Sequence, residues 1–263
     1  MPFPLAHPAA VLPLRRQCPR RFNFPALVLG SLCPDIGYCF GHLHVARFSH
    51  HFLAGGFGFC LPVGLLLVLL FYRLRGPVIQ RLPARYRRIF EPLCLRPAGS
   101  FWVIVISLLV GAWTHILWDS LTHADGWLVG HLPILQTSVG PGNGAFLICD
   151  LLYSISTFAG VAWLAWVYLN WLECAAGTQH WVWPGFKWMS VVLLAAFTLL
   201  LSFAGQGRFY SFELKTIALL SALLVAVFFS VTGWALRNRP TPKRRSPERR
   251  ADCHSSAQLA KGN

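Results

Sequence analysis

The sequence predicts an all-α protein: a polytopic transmembrane bundle of about six spans, the first of them short or re-entrant. Three observations carry that expectation. Only 12% of the 263 residues are charged while 55% are hydrophobic, against about 25% charged in soluble domains. Several apolar runs reach the roughly 17–25 residues that cross a bilayer. The basic residues, 23 Lys and Arg against 9 Asp and Glu for a net charge of +14, stand in short blocks between those runs, as the positive-inside rule requires. Because the blocks are not interleaved with aromatics on one face, nucleic acid is not the expected partner. The bilayer is.

The N-terminal MPFPLAHPAA stretch is free of charge and precedes Arg15, Arg16, Arg20 and Arg21. Phe22–Cys39 follows. It is apolar but short and broken by Pro25 and Pro34, so it fits either a short span or a re-entrant helix. A lipoprotein signal is disfavoured, since Leu32 stands where a small residue should precede Cys33, and a retained segment is expected. Phe52–Tyr72, Phe101–Trp118, Leu151–Leu172, Trp188–Gly205 and Thr216–Leu236 are the remaining expected spans.

Seven arginines lie from Arg73 to Arg96 against one acid, Glu91, and none lies between Arg96 and Lys187. Placing the basic blocks in the cytoplasm gives six crossings with both termini inside, against which Arg208 and Lys215 in an outer loop are a mild exception. The expected division is a membrane helical domain, residues 1–236, and a basic, disordered cytoplasmic tail, 237–263. The eight cysteines form no CxxC pair and read as free, small apolar residues, with Cys33 and Cys39 able to lie on the outer side and pair, though their spacing does not demand it.

Ionisable residues at membrane depth are costly and tend to be functional. In GAWTHILWDSLTHADGW, His115, Asp119 and His123 follow each other at steps of four, which aligns them on one helical face. His115 and His123 begin about 12 Å apart, too far for one ion on a straight helix. One ion can take His115 and Asp119, and a second Asp119, as a bridge, with His123. Asp35 in SLCPDIGY, and His42, His44, His50 and His51 ahead of the Phe52–Tyr72 run, reach the same outer end. His7 reaches it only if the N-terminal residues fold back into the bundle, a point the spacing leaves open.

A His/Asp set without thiolates suits Zn, Mn or Fe and reads as catalytic more than structural. His131, His180 and His254 lack acidic partners and read as interfacial or solvated. Asp125 and Asp150 are loop or helix-end acids, Asp150 able to cap the helix that follows. The glycine-rich GPGNG stretch at 140–144 is a turn, not a P-loop, because no lysine follows.

MPFPLAHPAAVLPLRR, the Pro-Asp of SLCPDIGY, RFSHHFLAG and GAWTHILWDSLTHADGW together resemble a bacterial membrane family of unknown function that opens with a Pro-Phe-Thr-x-Ser-His-Pro-Ala type sequence. The order of these motifs is similar to that of inner-membrane proteins classed as metal-dependent hydrolases, and more distantly to the zinc phospholipase C and P1 nuclease superfamily. The resemblance covers about residues 1–150. It implies a divalent metal, zinc first, at His7, Asp35, His50, His115 and Asp119. Ser49-His50-His51 stands for the family's Thr-His-Ser, with His51 in the place of the serine. His44 is one residue out of register with an upstream motif histidine, and His123 occupies a position where the hydrolases often carry proline. The superfamily's late His with a Glu or His four residues on has no counterpart after residue 150, so one or two ions are expected rather than three.

The function expected is therefore a metal-dependent hydrolase of an ester or phosphoester, with a lipid-like substrate, in a bacterial inner membrane. Its rivals are a transporter or proton relay working through intramembrane His and Asp, and an assembly protein whose polar cluster only packs helices.

Overall fold

The computed structural model describes residues 4–18, 21–40, 43–139 and 146–175. The expected spans Trp188–Gly205 and Thr216–Leu236, the tail from 237, the 140–144 turn, and His42, His180 and His254 lie outside the described residues. A 3-10 turn (Pro4–Ala6) leads into α1 (Pro8–Gln17), followed by α2 (Phe24–Cys39) and α3 (Leu43–Ser49). A π-helical turn (Gly56–Cys60) runs into α4 (Leu61–Arg81), and α5 (Ala84–Cys94), α6 (Phe101–Thr122), α7 (Trp127–His131) and α8 (Ile148–Ala175) complete the set. The only strand pairing among the described residues is a two-residue antiparallel ladder, β1 (Ser138–Val139) with β2 (Phe146–Leu147).

Three stretches are long and apolar enough to cross a membrane: Gly56–Arg81, Phe101–Thr122 and Ile148–Leu172. Exposed Leu66, Leu69, Trp102, Ile106 and Ile155 along them are what a lipid-facing surface requires. α2 is apolar but has 16 residues, about 24 Å, short of a bilayer core of about 30 Å. Its prolines do not break it, contrary to the sequence expectation. Pro25 sits in the first turn, where an amide N–H has no helical partner anyway. Pro34 lies inside the helix and is buried.

α2 begins at Asn23, whose side-chain oxygen accepts from the Ala26 N–H at 2.9 Å. Its amide nitrogen donates to the Tyr72 hydroxyl at 2.9 Å and to the Ala98 carbonyl at 2.6 Å. Its own N–H donates to Ser107 Oγ at 2.9 Å. One asparagine thus ties α2 to α4, to the α5–α6 connection and to α6, at the end that carries Arg75 and Arg96. α1 ends close to this point, the Arg21 N–H donating to the Cys18 carbonyl at 3.2 Å, and begins about 15 Å away. The N-terminal residues do fold back: His7 precedes the first turn of this short helix and lies 3.6 Å from Asp119, while Arg15 and Arg16 belong to its last turn.

α2 and α6 form the most intimate contact. A Cβ on Gly30 would sit 2.3 Å from the Leu108 carbonyl oxygen, and one on Gly111 2.3 Å from the Leu27 carbonyl oxygen. Small residues that let backbones approach are the usual means of helix association in lipid. Cys33 and Cys60 are buried, and Cys39 is exposed and free. Cys33 and Cys39, six residues apart on one helix, are not bridged.

Gly111→Ala is expected to lower the thermal midpoint of the detergent-solubilised protein, at a cost of about 1–3 kcal/mol for overpacking. Gly76→Ala, where nothing lies within 4 Å, should leave the midpoint unchanged or raise it. Equal effects of the two would contradict the close crossing.

Candidate metal centre

One face of α6 reads Ser107, Gly111, His115, Asp119, all buried and each four residues from the last. Ser107 receives α2 at the basic end, Gly111 lets α2 come close, and His115 and Asp119 then face the far part of α2. There His115 Nδ1 donates to the Ser31 carbonyl at 2.7 Å. Asp35, one turn beyond Ser31, points at the same place.

His50 enters from the residue after α3. Its Nδ1 meets the Ala46 carbonyl at 2.8 Å, and Ser49, whose hydroxyl donates to the Pro34 carbonyl at 2.8 Å, locks this turn onto α2. A Cβ on Gly37 would strike Ser49 Oγ, so that glycine is needed for the contact. In both rings a backbone carbonyl holds Nδ1–H, which leaves Nε2 of the neutral imidazole as the free lone pair, the arrangement found in metal-ligating histidines.

The two Nε2 atoms and the two carboxylates converge. His115 Nε2 is 3.2 Å from Asp119 Oδ2 and 3.5 Å from Asp35 Oδ1. His50 Nε2 is 3.4 Å from Asp119 Oδ2 and 3.8 Å from Asp35 Oδ1. One ligand atom from each of these four residues lies within 4.8 Å of every other. Four donors about 2.0–2.1 Å from a tetrahedral ion stand roughly 3.3 Å apart, so these separations fit the edges of such a shell. Both Asp35 oxygens, Asp119 Oδ1 and His50 Nε2 are buried without a hydrogen-bond partner, which buried polar atoms rarely are. The residues present fit a divalent cation.

His7 and His123 flank the four. The His7 ring stacks on that of His115, centroids 3.6 Å apart and 18° from parallel, and its buried, unpartnered Nε2 lies 3.6 Å from Asp119 Oδ1. His123 leaves the helical stripe because α6 ends at Thr122 and His123 adopts extended backbone. Its Nδ1 meets the Asp119 carbonyl at 3.0 Å and lies 3.9 Å from Asp119 Oδ1.

Burial, then the neighbouring His115, pulls the His7 pKa down to about 3. Burial also pulls on His50, but the nearby Asp119 and Asp35 carboxylates outweigh it and raise that pKa to about 9. The two carboxylates thus attract positive charge strongly at the very point where a cation would sit.

The remaining candidates lie elsewhere. His51 turns outward and accepts from the Ala54 N–H at 3.2 Å. His44 and His131 are exposed, the latter against Trp127. Asp150, in the first turn of α8, accepts from the Leu147 N–H at 3.3 Å, the capping role expected of it. The sequence reading missed the carbonyls of Ser31 and Ala46, the lock at Ser49 and the anchor Asn23. Of these only Asn23, ahead of Phe-Pro, carries a helix-start signal.

Residues 1–237 match the family described as "Domain of unknown function (DUF4184)", and the chain belongs to that family. No curated protein and no solved structure matches it.

Diethyl pyrocarbonate is expected to modify His44, His51 and His131 first, and His7 and His115 last. Peptide mass spectrometry reads the order, and modification of His115 as fast as His51 would contradict the burial described.

Proposed function

We propose that this DUF4184 membrane protein is a metal-dependent hydrolase acting on an ester or phosphoester at the membrane face. The convergence of Asp35, His50, His115 and Asp119 on one point supports this reading most directly. The donor set is two imidazoles and two carboxylates without thiolate, which favours zinc and leaves Mn and Fe as competitors. Bound there, such an ion would lower the pKa of a water to about 7 and polarise the scissile group.

The chain's own part is positioning. The Ser31 and Ala46 carbonyls orient the two rings, and α2, α6 and the α3 turn hold the carboxylates in an apolar surrounding. His7 and His123 are the further ligands proposed, on the Asp119 Oδ1 side. The stacking of His7 on His115 supports a second ion with Asp119 as the shared carboxylate. The two rings face different oxygens of Asp119, His115 Nε2 lying 3.2 Å from Oδ2 and His7 Nε2 3.6 Å from Oδ1. The substrate proposed is lipid-like, in keeping with a site built between apolar helices.

Metal analysis of the full chain purified in detergent tests this. The wild type is expected to carry divalent metal. His115→Ala/Asp119→Ala should carry none, and His50→Ala should bind at least about tenfold more weakly. His7→Ala should retain part of the load. Chelation should abolish hydrolysis of a model ester or phosphodiester, and restored zinc should return it. Equal metal in the wild type and the double variant would sink the proposal.

A further inference from the structure

An elongated cavity of about 330 Å3 lies between α1, α6 and α8. His7 and Ala10 form one wall, Trp118 another, and Ala159, Gly160 and Trp163 the third. We infer that this groove holds a single hydrocarbon chain of a membrane lipid, with the chain's polar linkage at the metal centre. The inference rests on the proposed function for the role of the linkage, and on the groove itself for the chain.

Four observations carry it. First, the groove is continuous with the cluster: His7 belongs to both, and its Nε2 lies 3.6 Å from Asp119 Oδ1. Second, it offers almost nothing polar. Ser156 lines it too, but that hydroxyl donates to the Tyr153 carbonyl at 3.0 Å, and the buried polar atom of its lining that lacks a hydrogen-bond partner is His7 Nε2. A polar metabolite needs several convergent polar groups.

Third, the groove extends along two helices. It follows α1 from Ala6 to Pro13 and α8 from Ser156 to Trp163, about 10 Å of each helix. Its floor is alanine and glycine, and at Gly160 an added Cβ would lie only 3.1 Å from Ala6. Fourth, it runs the right way. α1 leads from His7 toward the arginine end, so a chain lying in the groove points away from the metal centre and into the depth of the spans. Trp118 and Trp163, 42% and 50% exposed, leave its flank open between two membrane-crossing helices.

The test is photolabelling of the full chain in lipid nanodiscs with a diazirine-bearing fatty acid, mapped by peptide mass spectrometry. Label is expected on α1 and on α8 around Trp163, above the level on the lipid-facing leucines of α4. Ala159→Trp, which fills the groove without touching the cluster, should cut that labelling about tenfold, the effect of denying burial to as few as two methylenes. Leu66→Trp on α4 should not. Metal content, read in parallel, should be the same in wild type, Ala159→Trp and Leu66→Trp. Groove labelling unaffected by Ala159→Trp, or no stronger than on α4, overturns the inference, including the case where another part of this chain fills the groove. Metal present without groove labelling removes the groove and leaves the hydrolase reading standing. Groove labelling without metal in the wild type removes that reading and leaves a lipid-chain site.

Discussion

Two carboxylates buried side by side in an apolar bundle constrain everything else in this structure. An isolated ionised carboxylate in such surroundings costs several kcal/mol even after relaxation, and Asp35 and Asp119 share one small space. They persist only if positive charge is supplied on the spot. Among the described residues the partners that meet these oxygens are imidazoles, His115 and His50 between the two acids and His7 and His123 on the remaining oxygen of Asp119. The neutralising charge is therefore a proton on a histidine or a cation between the donors. Those are interchangeable occupants of one electrostatic well, and the unpartnered Nε2 and carboxylate oxygens describe the well's shape.

The fold reads as a means of assembling this well from remote pieces of chain. Gly30 and Gly111 bring α2 and α6 together, and the same crossing sets the Ser31 carbonyl against His115. Asn23 fixes the register of the two helices at the far end, so that Asp35 meets His115 about 18 Å along α2. Ser49 and Gly37 then dock the α3 turn and deliver His50. The π-helical turn at Gly56–Cys60 follows directly on this docked segment; such turns recur near functional sites. The glycine crossing is one that any helix pair in lipid can use; the Asn23 and Ser49 contacts add to it the polar fixings that set the register of Asp35 and the approach of His50.

Much of this was legible in the sequence. The three long described spans follow from apolar runs of membrane-crossing length, and His115 with Asp119 from the step of four on a helix. Asp35 and His50 could be placed at the same end by counting crossings. What could not be read has physical reasons. Whether His50 or His51 turns inward depends on how the chain leaves α3, which no periodicity encodes. The line through His115, Asp119 and His123 assumed a helix through 123, and α6 ends one residue sooner. Pro34 looked like a break because a proline in a helix interior usually is one. The carbonyls of Ser31 and Ala46 carry no side-chain signature at all. His7 became interpretable only once α1 was seen to span half the bundle and no more.

The exposures of the cluster residues bear on how such a site could be used. His115 and His7 side chains are 0% and 1% exposed, while that of His50 is 18%. His50 and His123, whose side chains are 18% and 21% exposed, are where water comes nearest to Asp119. His7 opens instead onto the apolar groove between α1 and α8. Asp119 thus stands between two histidines that water can reach and one that faces an apolar space. Hydrolysis of a lipid linkage needs that asymmetry: the hydrocarbon must stay out of water while a water molecule reaches the bond. A proton relay would need polar groups continuing past the cluster toward the basic end. On α6 the buried positions in that direction are Ala112, Gly111, Leu109, Leu108, Ser107 and Ile104, and the one polar side chain among them, Ser107, is already engaged with Asn23. Along the buried face of this helix the polar side chains therefore stop at the cluster and resume only at that anchor.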